Sequence, residues 1–456
     1  MLKQIIYSII LSSISFSAFS NFVPDYEKLS WEGVDVIFVK DDRVPMYQVD
    51  FYFSDGALSD QKGKEGETEL MFDLLTSGTR SFSQKEINDN LEYYGASYGH
   101  HITHEYATYS ISGLKKDIVP TLKQVCHLFS DASFPENELR RIKKLKISGL
   151  KNISNDHGSV ADRAFRKISL GNSVYETPSG GTVKSIARIK QKDLKQKLKY
   201  FKNKVKKRIY IKGHEEIKKI KEILVHDCQF DLKNSNFKRI VEKPYKNNFS
   251  NAGIYLVTVP SANQAQVRIG RLLKKEELGN DALLLFTSKF LGGGFTSQLM
   301  QSVRVKSGLS YSVSAFAAGQ KEYGRSGIMT FTKNDTIVEL LDVIKSTLSS
   351  VENKKFSKEE FEQSRGYLVG SFPFSFEQSS HFMQSLIQMD HQEKPHEELF
   401  DLPAKLGEIK MSDVAKMTGK IFDWKKQTIV IVGPKSLKKK LKTLGKVKVI
   451  PFKKFL

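Results

Sequence analysis

The chain has 456 residues, 39% hydrophobic and 27% charged, with two cysteines and a formal net charge of +21. At roughly 100–200 residues per domain, this length predicts two to four domains with real cores and excludes a disulfide-stapled miniprotein, a collagen-like fibre and a wholly disordered chain. The 72 Lys and Arg against 51 Asp and Glu are spread along the chain, so charge alone selects no partner among nucleic acid, anionic membrane and acidic peptide.

Met1, Leu2, Lys3 and Gln4 lead into IIYSIILSSISF and then Ala18-Phe19-Ser20. A short basic end, a short apolar run and small residues two apart predict a cleavable secretory signal over 1–20. No Cys stands at the cleavage site, so no lipid anchor is indicated. No later segment offers about 18 uninterrupted apolar residues, which predicts a soluble mature chain without a transmembrane anchor. In a Gram-negative host its compartment would be the periplasm.

From residue 30 onward strand-like and helix-like periods alternate. Residues 34–39 and 47–53 read as paired strands split by Asp41-Asp42-Arg43. A helix is predicted from near Glu65, ending before Ser77-Gly78-Thr79, and a second over 83–94, with Ile87, Leu91 and Tyr94 on one face and Gly95 as its stop. Strands at 96–102 and 105–112 precede helices at 115–130 and 136–150. The basic stretch 190–212 keeps helical spacing in Leu194, Leu198, Phe201 and Val205, followed by a strand at 208–211 and a basic helix at 215–225.

The same order then returns. Residues 254–257 and 266–269 replay the first strand pair, Glu277 to Leu291 the first helix, and 428–432 with 436–444 the close of the first unit. This internal duplication predicts two similar α+β units, an N-terminal domain over 21–235 and a C-terminal domain over 251–456, joined by a polar linker at 236–250. Cys126 and Cys228 form neither a metal spacing nor a disulfide framework. Cys126, among Ile118, Leu122, Val125 and Phe129, reads as a buried helical cysteine.

The duplication resembles the M16 family of zinc metallopeptidases, whose paired halves close around a chamber holding an unfolded peptide. The resemblance covers nearly all of the mature chain and implies two M16/LuxS-like domains, each an antiparallel-rich sheet packed with helices. In active members an inverted His-x-x-Glu-His motif lies on the helix after the second strand. The matching stretch here places Glu69 and Asp73 at the histidine positions and Phe72 at that of the catalytic glutamate. A hydrolytic zinc site needs several protein ligands, an open position for water and a base. Phe72 supplies no base, and two carboxylates four residues apart are not a selective zinc site. The family's third ligand falls near Ser159, with Asp162 as a substitute only in a shifted register.

A rival cluster, His100, His101, His104 and Glu105, would split between the two faces of a strand unless a turn intervenes, and it offers no obvious general base. A structural or surface role is the simpler reading. Whether His100 with His104, or Glu69 with Asp73, holds an ion is left open by the sequence.

The second half keeps more of the pattern. Gly292, Gly293, Gly294 and Phe295 resemble the family's glycine-rich turn, where open backbone amides can meet a peptide. It is not a phosphate loop, since no Gly-Lys-Ser/Thr follows a strand. Arg304 to Tyr311 matches the family's Arg-x6-Tyr signature, in which the pair holds substrate and helps to stabilise the oxyanion. Guanidinium and phenol donors suit that task.

These residues imply a non-catalytic, substrate-binding subunit of a heteromeric zinc endopeptidase. Arg304 and Tyr311 would act in trans on an unfolded peptide, zinc would be held by an active M16-type partner, and this chain would carry no cofactor and be inactive alone. The alternative is an inactive peptide-binding or scaffold homodimer of the cell envelope. A basic patch at Lys202, Lys204, Lys206, Lys207 and Arg208 lacks the interleaved aromatics of a nucleic-acid platform, so nucleic acid is not expected as a partner.

Overall fold

The computed structural model describes residues 24–171, 173–213, 217–228 and 251–456. The predicted signal at 1–20 and linker at 236–250 lie outside the described residues. In chain order the main elements of the first part are β1 (Tyr26–Trp31), β2 (Val34–Lys40), β3 (Met46–Phe53), α1 (Glu67–Asp73), α2 (Gln84–Tyr93), β4 (Ser97–Ile102), β5 (Ala107–Leu114), α3 (Ile118–Asp131), α4 (Glu136–Asn152), α5 (His157–Ser169), α6 (Val183–Arg188), α7 (Gln191–Asn203), β6 (Lys207–Gly213) and α8 (Ile217–His226). The second part holds β7 (Gly253–Thr258), β8 (Gln264–Lys274), α9 (Asp281–Gly292), β9 (Val313–Gly319), β10 (Tyr323–Lys333), α10 (Ile337–Glu352), α11 (Lys358–Ser371), α12 (Ser379–His391), α13 (Met411–Ile421), β11 (Thr428–Gly433), α14 (Leu437–Leu441) and β12 (Val447–Pro451).

Two six-stranded sheets form, in the orders β1-β2-β6-β3-β5-β4 and β12-β7-β11-β8-β10-β9. Matched from β2 and β7 onward the two orders are the same, so the duplication read from the sequence is a duplication of sheet topology. The repeats differ at the outer edge, where β1 pairs antiparallel with β2 and β12 pairs parallel with β7.

The predicted pairing of 34–39 with 47–53 is corrected. β6 inserts between them, parallel to β2 and antiparallel to β3, and β11 does the same between β7 and β8. Local periodicity reports a strand but not a neighbour arriving some 150 residues later. Strand β1 was not foreseen. It is joined to β2 through Glu32 and Gly33, both at positive φ (51° and 94°), the conformation that favours a tight hairpin.

The chain packs into two compact units. One takes in the described residues within Met1–Lys143, Arg188–Arg239 and Gly370–Leu399, and the other those within Lys144–Ala187, Ile240–Val369 and Phe400–Leu456. In each, helices cover both sheet faces, which explains why the central strands read as almost continuous apolar runs. In the first unit Phe51 and Phe53 enter the main core with α1, α3 and α7, whereas Tyr52 points to the other face and hydrogen-bonds His391 of α12 at 2.9 Å. His391 also contacts Glu105 at 3.1 Å, and Tyr210 donates to Asp390 at 2.6 Å, so α12 is held by buried polar contacts. In the second unit α5 covers β7 and β11 with Val160, Ala161, Ala164, Phe165 and Ile168 against Tyr255, Val257, Val430 and Val432.

The cysteine reading is also corrected. Cys126 is fully buried in α3, as expected, but it forms a disulfide with Cys228, 102 residues away. The packing of α8 against α3 makes the pair, and no spacing in the sequence reports it.

Candidate functional site

Helix α1 carries Glu69, Phe72 and Asp73, the residues that the M16 resemblance matched to the zinc motif. Gly66, at φ 95°, caps its start, and Asp60 accepts hydrogen bonds from the amides of Gly66 and Thr68 at 2.7 and 2.9 Å. This fixes the helix rotation so that Leu70, Met71 and Phe72 are buried while Glu69 and Asp73 are half-buried.

Phe72 sits in an aromatic cluster. Its ring lies 5.8 Å from Phe53, 5.6 Å from Phe201, 6.2 Å from Tyr109 and 5.9 Å from His100, the last nearly parallel at 25°. The Tyr109 hydroxyl, fully buried beside it, has no hydrogen-bond partner among the described residues, and burial pushes that phenol well above its ordinary range. At Phe72 this helix offers no acid or base, only a ring packed among other aromatic rings.

The surrounding donors do not fit zinc. His100 Nε2 lies 3.3 Å from Asp73 Oδ1, a polar pair beside the aromatic cluster. The histidine run is broken as the alternative reading allowed. Strand β4 ends at Ile102, His104 lies in the following turn, and Glu105 is buried against His391. Among the described residues no group of three or more His, Cys, Asp or Glu side chains is placed to hold a metal ion. Ser159 and Asp162 lie on α5. Ser159 donates to Asp156, the helix cap, at 2.6 Å, and Asp162 accepts from Arg268 at 2.6 Å, so both are engaged in structural contacts.

The second-unit residues converge instead. Helix α9 ends at Gly292, where a Cβ would lie 2.3 Å from the Ala315 nitrogen of β9, so only glycine admits this close approach. Gly294 has open space around it, and Phe295 is 70% exposed. Arg304 follows on a π-helical turn over Gln301–Lys306, a local widening often found at functional sites. Gly308, at φ 61°, reverses the chain, its amide donating to Arg304 O at 3.1 Å. Thr332 and Thr330 then donate to the carbonyls of Leu309 and Ser312 at 2.7 and 2.8 Å, pinning the return segment to β10.

The result brings Tyr311 over Arg304. The guanidinium carbon is 4.2 Å from the Tyr311 ring centroid and 5.1 Å from that of Phe295. Tyr311 is 72% exposed, so this aromatic–cation–aromatic stack is presented to solvent rather than buried as core. Beside it Gly293, Gly294, Phe295 and Ser297 face Gln363 and Tyr367 of α11 across a cavity of about 340 Å³. Tyr367, 68% exposed, was missed from sequence. Its helix reads as packing, and only its large exposed ring beside the glycine turn marks it.

The matches with known proteins agree with this picture. Residues 188–368 match the family model Peptidase M16 inactive domain. The fold is shared with the crystal structure of a peptidase M16 inactive domain from Pseudomonas fluorescens (TM-score 0.79, 22% identity, 90% of this chain and 98% of that one). It is shared too with the periplasmic protease PqqL from Escherichia coli (TM-score 0.73, 12% identity, 91% of this chain and 46% of that one). The non-peptidase homolog YmxG of Helicobacter pylori is 25% identical over 363 residues, 76% of this chain and 80% of the relative. The chain has two α+β units and shares the fold of M16-type proteins. More particularly, its residues 188–368 resemble the inactive-domain type of that family, so the M16 resemblance read from its residues is borne out.

Proposed function

We propose that this chain is the non-catalytic, substrate-binding subunit of a heteromeric zinc-dependent M16-type endopeptidase. The observation that carries the reading is the contrast between its two repeats. Phe72 is sealed among aromatic rings where a base would be needed, whereas Tyr311 and Phe295 remain exposed around an open glycine turn with the half-buried Arg304 guanidinium between them. An exposed Arg–Tyr stack has no role in the core. It supplies the donors that a peptide carbonyl or a developing oxyanion requires.

In this mechanism the zinc would be held by a separate His-x-x-Glu-His subunit and would supply Lewis-acid chemistry to the scissile carbonyl and the attacking water. This chain binds the extended peptide along Gly292 to Phe295, and Arg304 and Tyr311 steady the substrate oxygen. The reading is supported by the non-peptidase character in the name of the Helicobacter relative. The disulfide supports folding in an oxidising compartment, in keeping with the predicted signal and a periplasmic location. No helix among the described residues is long and apolar enough to cross a membrane.

The test is capture of the native protein from the cell envelope, followed by peptide cleavage with and without the captured partner. Cleavage only by the complex supports the proposal. Self-association without any rescue of cleavage would favour the scaffold homodimer instead.

A further inference from the structure

Charged groups drawn partly out of water need compensation, and two half-buried arginines of the second unit, Arg166 and Arg325, lack an acceptor for it. Arg163 and Arg166 are one turn apart on α5, and residues three apart share a helix flank. Arg163 is satisfied. It donates to the Phe455 and Gly181 carbonyls at 2.9 and 3.3 Å. Arg166 is not: its Nη1 is shut off from solvent with no acceptor.

Strand β10 brings a third guanidinium to the same flank. Arg325 lies with its guanidinium carbon 5.6 Å from the ring of Phe165, the neighbour of Arg166. Tyr323, two residues earlier and so on the same strand face, stacks on Tyr175 at 4.0 Å, which fixes the strand against the segment after α5. Arg325 makes no hydrogen bond and no ion pair among the described residues, and burial together with the Arg166 charge lowers it to about 10. The acids nearby are committed elsewhere, Asp162 to Arg268 and Glu176 to Lys167. Contact with the Phe165 face offsets only a small part of the cost of holding two half-buried like charges together.

The geometry points to an oxyanion-binding site formed by Arg166 and Arg325 between α5 and β10, taking a phosphate-type or carboxylate anion. Two guanidiniums supply up to ten donors, and charge-assisted pairs of this kind are the strong ones. The site stands apart from the Arg304–Tyr311 stack and does not depend on the proposed peptidase role.

The test is titration of the full chain with inorganic phosphate and, separately, sodium acetate at constant ionic strength set with chloride, read by calorimetry and thermal unfolding. Saturable binding of either anion below about 10 mM, with a rise in Tm, is expected, and the tighter of the two assigns the class. Arg166→Gln and Arg325→Gln should each weaken it about tenfold or more, since each removes a charge-assisted pair. Arg325→Lys, which keeps the charge but loses the fork, should retain part of it and guards against a folding defect. Lys439→Gln, the same charge loss at an exposed site, should change nothing. Absence of saturable binding by both anions, or equal binding by wild type and both glutamine variants, would overturn the assignment.

Discussion

The rings of Phe72 and His100 lie nearly parallel with centroids 5.9 Å apart, at the position that the M16 resemblance assigns to the catalytic glutamate. Phe72→Ala should therefore cost about 3–5 kcal/mol, the range for emptying a buried aromatic site, measured by urea unfolding. Rebuilding the motif as Glu69→His, Phe72→Glu and Asp73→His should destabilise the chain further. It would place a carboxylate among Phe53, Phe201 and Tyr109 with no water to solvate it. No zinc-dependent cleavage by that isolated variant is expected. Cleavage would show that the surrounding packing, and not only the missing ligands, had been misjudged.

Two buried carboxylates set opposite pH responses. Asp60, almost fully buried, is pushed up to about 6 by desolvation, even though Lys197 lies 3.5 Å away and Thr68 donates to it at 2.5 Å. A folded value above the ordinary 3.8 means its contribution is fully present below about pH 4 and is lost as pH rises through about 6. The difference across that window is about 3 kcal/mol at most. Asp41 runs the other way. Hydrogen bonds from Arg43 and from Ser379 hold it at about 2, so its contribution is present above 3.8 and lost as pH falls toward 2. Asp60→Asn should flatten unfolding free energy between pH 4 and 6, and Arg43→Ala, by letting Asp41 return toward its ordinary value, should lower stability at neutral pH and flatten the loss below pH 4. An unchanged profile in both variants would refute these assignments.

The disulfide between Cys126 and Cys228 closes a loop of 102 residues. In the chain-entropy account a loop of that size is worth about 4–5 kcal/mol. Reduction, or a Cys228→Ser variant, should lower the unfolding midpoint markedly and loosen α8 first, seen as faster amide exchange over 217–226. An equal midpoint with and without reductant would mean that packing of α8 on α3 suffices.

Much of this molecule was legible from sequence because the relevant signals are local. Helix α2 shows its capping box in Ser83 and Glu86, and the apolar spacing of Leu194, Leu198 and Phe201 reports α7. The Arg304 and Tyr311 positions were found from their surrounding motif, although their stacking on each other depends on Gly308 and could not be read. What escaped were relationships between distant segments: β6 between β2 and β3, Cys126 with Cys228, and Glu105 with His391, 286 residues apart. Periodicity has no access to such pairings, because packing of whole elements decides them. The position of α12 on the first sheet was hidden for the same reason.

The central claim is that this chain contributes Arg304 and Tyr311 to chemistry performed with another subunit's zinc. The direct measurement is cleavage of an unfolded peptide by the reconstituted complex, comparing wild type with Arg304→Ala and Tyr311→Phe, with assembly followed in parallel by size-exclusion chromatography. Tyr311 is exposed and Arg304 half-buried outside the core, so folding and assembly should be unaffected while kcat/KM falls about a hundredfold or more for Arg304→Ala, the scale for losing an oxyanion donor. Tyr311→Phe keeps the stacked ring and loses only the hydroxyl, so a smaller fall is expected. Unchanged cleavage in both variants, or zinc-dependent cleavage by the isolated chain, would contradict the account.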